Sequence, residues 1–137
     1  MKFSTLKITA AILCVVLALA LCLVPWSAEA STSSGDPELA PITSSYDFDT
    51  VFWTATRVAR SMPLWTLTEV QKSDGVIQAE AKTPSGRYTD DVKIQIHRET
   101  PVRVEVHSAS RVGLSDLGVN ARRISMYLKA LRIHLGS

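Results

Sequence analysis

The feature that most constrains the fold is a pair of alternating segments, residues 87–98 and 102–110, joined by the turn Glu99-Thr100-Pro101. In the central part of each segment every second residue is a valine or an isoleucine. These apolar positions are Val92, Ile94, Ile96, Val102, Val104 and Val106. Because successive side chains of a β-strand point to opposite faces, the pattern predicts an antiparallel pair with one buried and one solvated face.

Turn and helix signals precede this pair. Ser73-Asp74-Gly75 separates residues 64–71 from residues 76–83, and Asp-Gly at such a position is typical of a β-hairpin. Upstream, apolar residues recur at three- and four-residue steps between Asp47, a plausible N-cap, and Pro63. This spacing predicts an amphipathic helix that ends before the proline.

A second amphipathic helix is predicted at the C-terminus, where Gly136 suits a C-cap. Its apolar stripe comprises Leu117, Ala121, Ile124, Leu128, Leu131 and Leu135. The order of elements is therefore helix, four strands, helix. We expect an α+β fold in which the N-terminal and C-terminal helices pack on one face of a four-stranded antiparallel sheet.

The N-terminal segment has the features of an export signal. Lys2 and Lys7 precede the apolar run 8–24, and Ala28-Glu29-Ala30 has the small-x-small pattern read by signal peptidase. We expect residues 1–30 to be a signal peptide cleaved after Ala30. The alternative is a retained membrane anchor over residues 8–26, because the run is long enough to span a bilayer. Both alternatives place the domain outside the cytoplasm, in the periplasm or another extracytoplasmic space.

The rest of the chain divides into a linker and one domain. Residues 31–45 are rich in serine and predict a flexible linker, and residues 46–137 predict a single α+β domain. Both cysteines, Cys14 and Cys22, lie in the apolar N-terminal run. A mature domain without cysteine has no disulfide and depends on its hydrophobic core.

The composition limits the classes of partner. Apolar residues make up 46% of the chain and charged residues 20%, as in a globular protein. The net charge is only +2, and no run of lysine or arginine is present. Nucleic acid is therefore not an expected partner.

Strand register predicts a cluster of polar side chains at one end of the sheet. A turn centred near Thr100 pairs Asp90 with Ser110 and places Val92 opposite Ser108, so Asp90, Ser108 and Ser110 share the face of the buried valines. Polar residues of the following loop and helix arrive at the same end. The predicted cluster comprises Asp90, Asp91, Ser108, Ser110, Arg111, Ser115, Asp116, Asn120 and Arg123.

This cluster has a structural and a binding interpretation. In the structural one, Arg111 pairs with Asp90 or Asp116, and Ser115 or Asp116 caps the final helix. In the binding one, Arg111 and Arg123 beside a helix N-terminus hold the carboxylate, phosphate or sulfate of an anionic small molecule. The basic helix face suits an acidic protein partner or anionic lipid headgroups equally well.

Enzymatic interpretations are weaker. A hydrolase assembled from Ser110, His107 and Asp116 places its serine and histidine on opposite strand faces, and the chain has no Gly-x-Ser-x-Gly elbow. A metal site from His97, His107 and Asp91 brings each histidine next to a cation across the hairpin. We therefore expect neither a metal nor a cofactor, and a hydrolase is the least favoured alternative.

The segment Ser-Ala-Ser-Arg-x-Gly-x-Ser-Asp-x-Gly-x-Asn-x-x-Arg at residues 108–123, with Asp90-Asp91 on the preceding strand, resembles a known family signature. It is similar to that of domain of unknown function 1499, a set of small bacterial and plastid proteins that are often exported or membrane-associated. The resemblance covers about residues 47–135. The chain departs from the family pattern at His107, where the family usually has arginine, and in lacking a cysteine that many members carry early in the domain. The resemblance implies domain identity and export, and it supplies no reaction.

Overall fold

The described chain forms two helices and six strands. A computed structural model describes residues 29–33, 35–112 and 118–136. In chain order the elements are β1 (Glu29–Ser31), β2 (Ile42–Ser44), α1 (Phe48–Ser61), β3 (Trp65–Gln71), β4 (Val76–Lys82), β5 (Thr89–His97), β6 (Val102–Ser110) and α2 (Val119–Leu135). The predicted α+β class is confirmed.

All six strands belong to one antiparallel sheet. Strands β3, β4, β5 and β6 are neighbours in that order, and β1 and β2 both pair with the remaining edge of β6. The predicted count of four strands is therefore wrong. The two additional strands come from the serine-rich stretch predicted as a linker and from the two residues before it.

The contacts that hold these additional strands in place leave no periodic pattern in the sequence. Each is three residues long, too short for alternation to be recognised. The Thr32 N–H donates to the Val106 carbonyl at 2.8 Å, and Arg132 of α2 donates to the Ala40 carbonyl at 2.9 Å. Ile42 is buried, with 3% of its surface exposed, which anchors β2 in the core.

The register of the central hairpin agrees with the prediction. Asp90 pairs with Ser110 and Val92 with Ser108 across β5 and β6. The turn between β3 and β4 depends on Gly75, which has a φ of 68°. A Cβ atom at this position would lie 2.2 Å from the Ile96 carbonyl oxygen, so glycine is needed for both the conformation and the close approach.

Both helices contribute to a core on one face of the sheet. Asp47 caps α1 by accepting a hydrogen bond from the Thr50 N–H at 3.0 Å, as predicted. The Tyr127 hydroxyl of α2 donates to the Ala55 carbonyl of α1 at 3.1 Å, and burial raises the pKa of this phenol. Phe52 and Leu128 are fully buried, and each such side chain contributes about 1.5–3 kcal/mol relative to exposure.

Several polar and exposed side chains lie at one end of the sheet. This end is called the hub end and is marked by Trp65, Lys82, Asp90, Ser110 and Glu29, which are linked through the strand registers. The first turn of α2 also lies there, because Asn120 contacts Ser110. Within the described ranges, neither helix is long and apolar enough to cross a membrane.

Candidate functional site

A buried cluster of four side chains, called the polar hub, occupies the core face at the hub end. It consists of Asp90, Ser108, Asn120 and Arg123, each at most 7% exposed. Arg123 donates to an Asp90 carboxylate oxygen at 2.7 Å, to the Ser108 hydroxyl at 3.0 Å and to the Asn120 amide oxygen at 2.6 Å. A single guanidinium thus connects strands β5 and β6 to helix α2.

The remaining hydrogen bonds close the polar hub. The Ser108 hydroxyl donates to the Asn120 amide oxygen at 2.6 Å, and the Asn120 amide nitrogen donates to Ser110 at 3.1 Å. In the described part of the chain, every buried side-chain nitrogen or oxygen has a partner. The hub is therefore a saturated network, which is the arrangement that makes buried polar groups tolerable in a core.

Strand parity and helix spacing explain why these four residues meet. Asp90 and Ser108 lie at even positions in line with the buried valines of their strands. Asn120 and Arg123 are three residues apart on α2, and Tyr127 follows Arg123 after four. Residues at these steps share one helix face, so α2 presents Asn120 and Arg123 to the core on the same face as Tyr127.

Arg111 is not part of the polar hub, and its predicted pairing with Asp90 is wrong. It lies on the solvent face, where it donates to Asp91 at 2.5 Å and to Glu80 at 2.6 Å. The two carboxylates raise the pKa of this guanidinium, with the hydrogen bonds to Asp91 as the largest cause. The core-facing residues of β6 have even numbers, and successive side chains of a strand point to opposite faces. If the strand is continued by one residue, the side chain of Arg111 therefore lies on the face opposite to Asp90. Glu80, Asp91 and Arg111 are called the outer network.

Two predicted members of the cluster, Ser115 and Asp116, lie outside the described residues, and so does the proposed pairing of Arg111 with Asp116. Helix α2 begins at Val119, and Gly118 occupies its N-cap position with a φ of 78° and no side-chain capping bond. Of the remaining predicted members, Asp90, Ser108, Ser110, Asn120 and Arg123 meet on the core face. Asp91 and Arg111 meet on the other face.

The histidines of the weaker enzymatic interpretations are separated from the hub. His107 pairs with Lys93 and His97 with Arg103 across the hairpin, as predicted from the register. His97 lies 2.9 Å from a Glu105 carboxylate oxygen on the solvent face. Among the described residues, no group of three or more histidine, cysteine, aspartate or glutamate side chains is placed to hold a metal.

A groove at the hub end was not predicted from the sequence. It has a volume of about 370 Å³ and lies between the α1–β3 connection and the first turns of α2. Its apolar lining includes Met62, Pro63, Leu64, Trp65 and Met126, and its cationic lining includes Lys82 and Arg122. This surface, called the amphipathic groove, combines three separate chain segments, which is why no local pattern indicated it.

Leu64 is the most unusual residue of the amphipathic groove. It has a φ of 64° and is 54% exposed. A left-handed conformation costs an L-residue about 1–2 kcal/mol, and an exposed leucine recovers little of that by burial. The Leu64 carbonyl accepts a hydrogen bond from the Lys82 N–H at 2.9 Å, which fixes the apolar side of the groove next to a cation.

The tryptophan that lines the amphipathic groove is in contact with the core. The Trp65 ring stacks on the Tyr127 ring, with 5.5 Å between centroids and 17° between planes. Tyr127 is in turn fixed by its hydrogen bond to α1. The groove is therefore shaped by the core, whereas Met126 on its rim is 47% exposed.

Comparison with protein-family models identifies a family to which the sequence is similar. A family model described as protein of unknown function (DUF1499) matches residues 14–131. The match includes every member of the polar hub, the outer network and the amphipathic groove. No curated protein matches the sequence.

Proposed function

Because the chain belongs to the DUF1499 family of proteins of unknown function, its role has to be inferred from its own residues, and we propose that it is an exported, membrane-tethered binding domain. In this proposal residues 8–26 are retained as an anchor. The hub end of the sheet faces the outer surface of the membrane, and the domain binds there without catalysing a reaction.

The observation that carries the proposal is the position of β1. Glu29, Ala30 and Ser31 pair with Ala109, Ser108 and His107 of β6. Only residues 27 and 28 separate the proposed anchor, residues 8–26, from this strand. Three Cα–Cα steps of an extended chain span at most about 11 Å, so an anchored chain holds the hub end close to the lipid headgroups.

Retention of the anchor is also favoured by what cleavage would remove. A cut after Ala30 would take away two of the three residues of β1 and leave the matching part of the β6 edge unpaired. An exposed strand edge is a template for unwanted association. Retention keeps the edge covered, and this supports the tethered alternative over the cleaved one.

A binding role is favoured over catalysis by the state of the polar residues. The polar hub is buried and its groups are bonded to one another, so it serves the fold. The outer network likewise pairs Arg111 with two carboxylates. By contrast, the described residues of the amphipathic groove include the exposed apolar side chains of Leu64 and Met126 and the exposed cations Lys82 and Arg122, which suit a surface contact.

The first test is the mass of the mature protein, isolated from the membrane fraction of cells that make the full chain. A mass that includes residues 1–30 supports the tether, and removal of those residues overturns it. A soluble binding module that takes an anionic small molecule would then be the surviving alternative.

The second test is orientation, measured in nanodiscs that contain lipids with a nitroxide on the headgroup. Trp65 lines the groove at the hub end, whereas Trp53 is 54% exposed near the other end of the sheet, beside Lys72. Two variants that each keep one of these tryptophans, with phenylalanine at the other positions, form a matched pair. We expect the nitroxide to quench Trp65 more strongly than Trp53, and equal quenching or the reverse order would contradict the orientation.

A further inference from the structure

We propose that the amphipathic groove binds one anionic phospholipid of the membrane surface, with the phosphate between Lys82 and Arg122 and an acyl chain against Leu64 and Met126. This inference rests on the proposed function. It adds a defined ligand class and a defined site to an otherwise general surface contact.

The charge of the groove indicates an anionic headgroup. Lys82 and Arg122 are exposed, and neither forms an ion pair with a carboxylate of the described residues. Arg111, at the same end, is engaged by Asp91 and Glu80, and Arg123 by Asp90. Lys82 and Arg122 therefore differ from both arginines in having no described anion to neutralise them.

The apolar part of the groove indicates a hydrocarbon chain. Leu64 and Met126 are both about half exposed, and Pro63 and Trp65 continue the same surface. The volume of about 370 Å³ is within the range of about 300–1,000 Å³ typical of small-molecule sites. The strained backbone of Leu64 keeps a large apolar side chain at the mouth of the groove, and strain of this kind concentrates at binding sites.

The position of β1 indicates the membrane as the source of this ligand. Glu29 begins β1 at the hub end, so a retained anchor and the groove lie at the same end of the domain. An acidic protein would meet the two cations but would leave the apolar surface without a partner. A phospholipid matches both halves and is present wherever the anchor is.

The experiment uses the full-length protein in nanodiscs, with Trp65 as the sole tryptophan after Trp26→Phe and Trp53→Phe. Phosphatidylglycerol brominated on its acyl chain is the minor component in a phosphatidylcholine bilayer. The reciprocal sample carries the bromine on a matching fraction of phosphatidylcholine. We expect brominated phosphatidylglycerol to quench Trp65 at a lower mole fraction than brominated phosphatidylcholine.

Charge variants with a matched control test the phosphate site. Lys82→Gln and Arg122→Gln should each raise the phosphatidylglycerol fraction needed for half-maximal quenching about five-fold, as expected for loss of one cation near an anionic surface. Arg87→Gln removes an exposed cation of the β4–β5 turn, at the same end but outside the groove lining. It should leave that fraction within about two-fold of the parent, since Arg87 is not part of the groove and makes no charge-assisted hydrogen bond to the phosphate proposed to bind there.

Apolar variants test the acyl-chain site in the same assay. Leu64→Asn introduces a residue that tolerates a positive φ but removes the apolar surface. This variant should weaken the quenching of Trp65 by brominated phosphatidylglycerol. Val112→Asn is the control, because Val112 is 66% exposed just after β6 and outside the groove lining. Its quenching should match that of the parent.

The outcomes separate this inference from the proposed function. If the headgroup nitroxide quenches Trp65 but the two brominated lipids act equally, the orientation stands and the lipid site is wrong. Equal loss in the groove variants and their controls also overturns the site, because it indicates general electrostatic attraction. If the headgroup nitroxide leaves Trp65 unquenched, the membrane-facing orientation itself fails.

Discussion

Asp90 and Asp91 are neighbours in β5, and each is paired with an arginine, but the two pairs lie on opposite faces of the sheet. Asp90 and Arg123 are 2% and 7% exposed, whereas Asp91 and Arg111 are 59% and 44% exposed. The N···O distances, 2.7 and 2.5 Å, are similar. Geometry alone would therefore rank the two pairs as equals.

The two pairs differ in which groups surround their charges in place of water. Removing an ion from water costs several kcal/mol, and only close partners on all sides offset that cost. Arg123 has such partners in Asp90, Ser108 and Asn120, so loss of one leaves the others exposed to a medium of low dielectric constant. Around Arg111, solvent takes the place of any lost partner. The two pairs should thus respond very differently to the same substitution.

The largest effect is expected from Arg123→Met, which leaves the Asp90 carboxylate buried without a cation. Breaking a buried pair in this way costs about 3–5 kcal/mol, or a fall in Tm of more than about 12 °C for a domain of this size. Thermal unfolding of the full-length protein in detergent, followed by circular dichroism, measures it. Arg122→Met is the control on the adjacent exposed arginine. An equal fall in Tm in both variants would contradict the expectation that the buried arginine contributes more to stability than the exposed one.

The double variant Asp90→Leu, Arg123→Met separates the cost of an orphaned charge from the value of the pair. With both charges removed, Ser108 and Asn120 still bond to each other, and two apolar side chains fill the space. Buried pairs replaced in this way are often neutral or more stable. We expect the double variant to be more stable than Arg123→Met, with a coupling free energy of about 0.5–3 kcal/mol by urea unfolding. Additive losses would show that the two residues act independently.

Asn120→Ala should have an intermediate effect, because it removes a neutral member of the polar hub. Arg123 and Ser108 lose one acceptor but keep each other, at a cost of about 1–3 kcal/mol for the groups left without partners. Urea unfolding at neutral pH is the measurement. Ser110→Ala, which removes a half-buried partner of the same amide, is the control and should cost less. A loss equal to that of Arg123→Met would mean that the network is lost as a unit.

The two ion pairs could be predicted from the sequence to different extents. The position of one turn predicted that Asp90, Ser108 and Ser110 share the core face of the sheet, because the turn sets the register of the whole hairpin. The same parity, continued one residue past β6, would have placed Arg111 on the solvent face beside Asp91. To predict that Asp90 pairs with Arg123, one must know how α2 is rotated about its own axis. The apolar stripe of the helix and the three-residue step from Asn120 to Arg123 together indicate this rotation.

Other features depend on tertiary contacts that no local pattern encodes. Strands β1 and β2 are three residues long and exist because the edge of β6 offers hydrogen bonds to them. The amphipathic groove joins residues 62–65, Lys82 and the first turns of α2. Exposure of Leu64 and Met126 likewise depends on how the helices sit on the sheet, which binary patterning does not determine.

The smallest effect is expected from Arg111→Ala, which opens the outer network to solvent. Surface ion pairs contribute little, because water and salt screen them, so the change in Tm should be far smaller than that of Arg123→Met. Any loss should also disappear in about 1 M salt, where the Debye length is about 3 Å. Measuring Tm for the parent and Arg111→Ala at low and high salt tests both points. The control is Arg87→Ala, which removes a surface charge that forms no ion pair with any described residue. A salt-independent fall as large as that of Arg123→Met would mean that the outer network supports the fold as strongly as the hub, and the contrast between the two faces would fail.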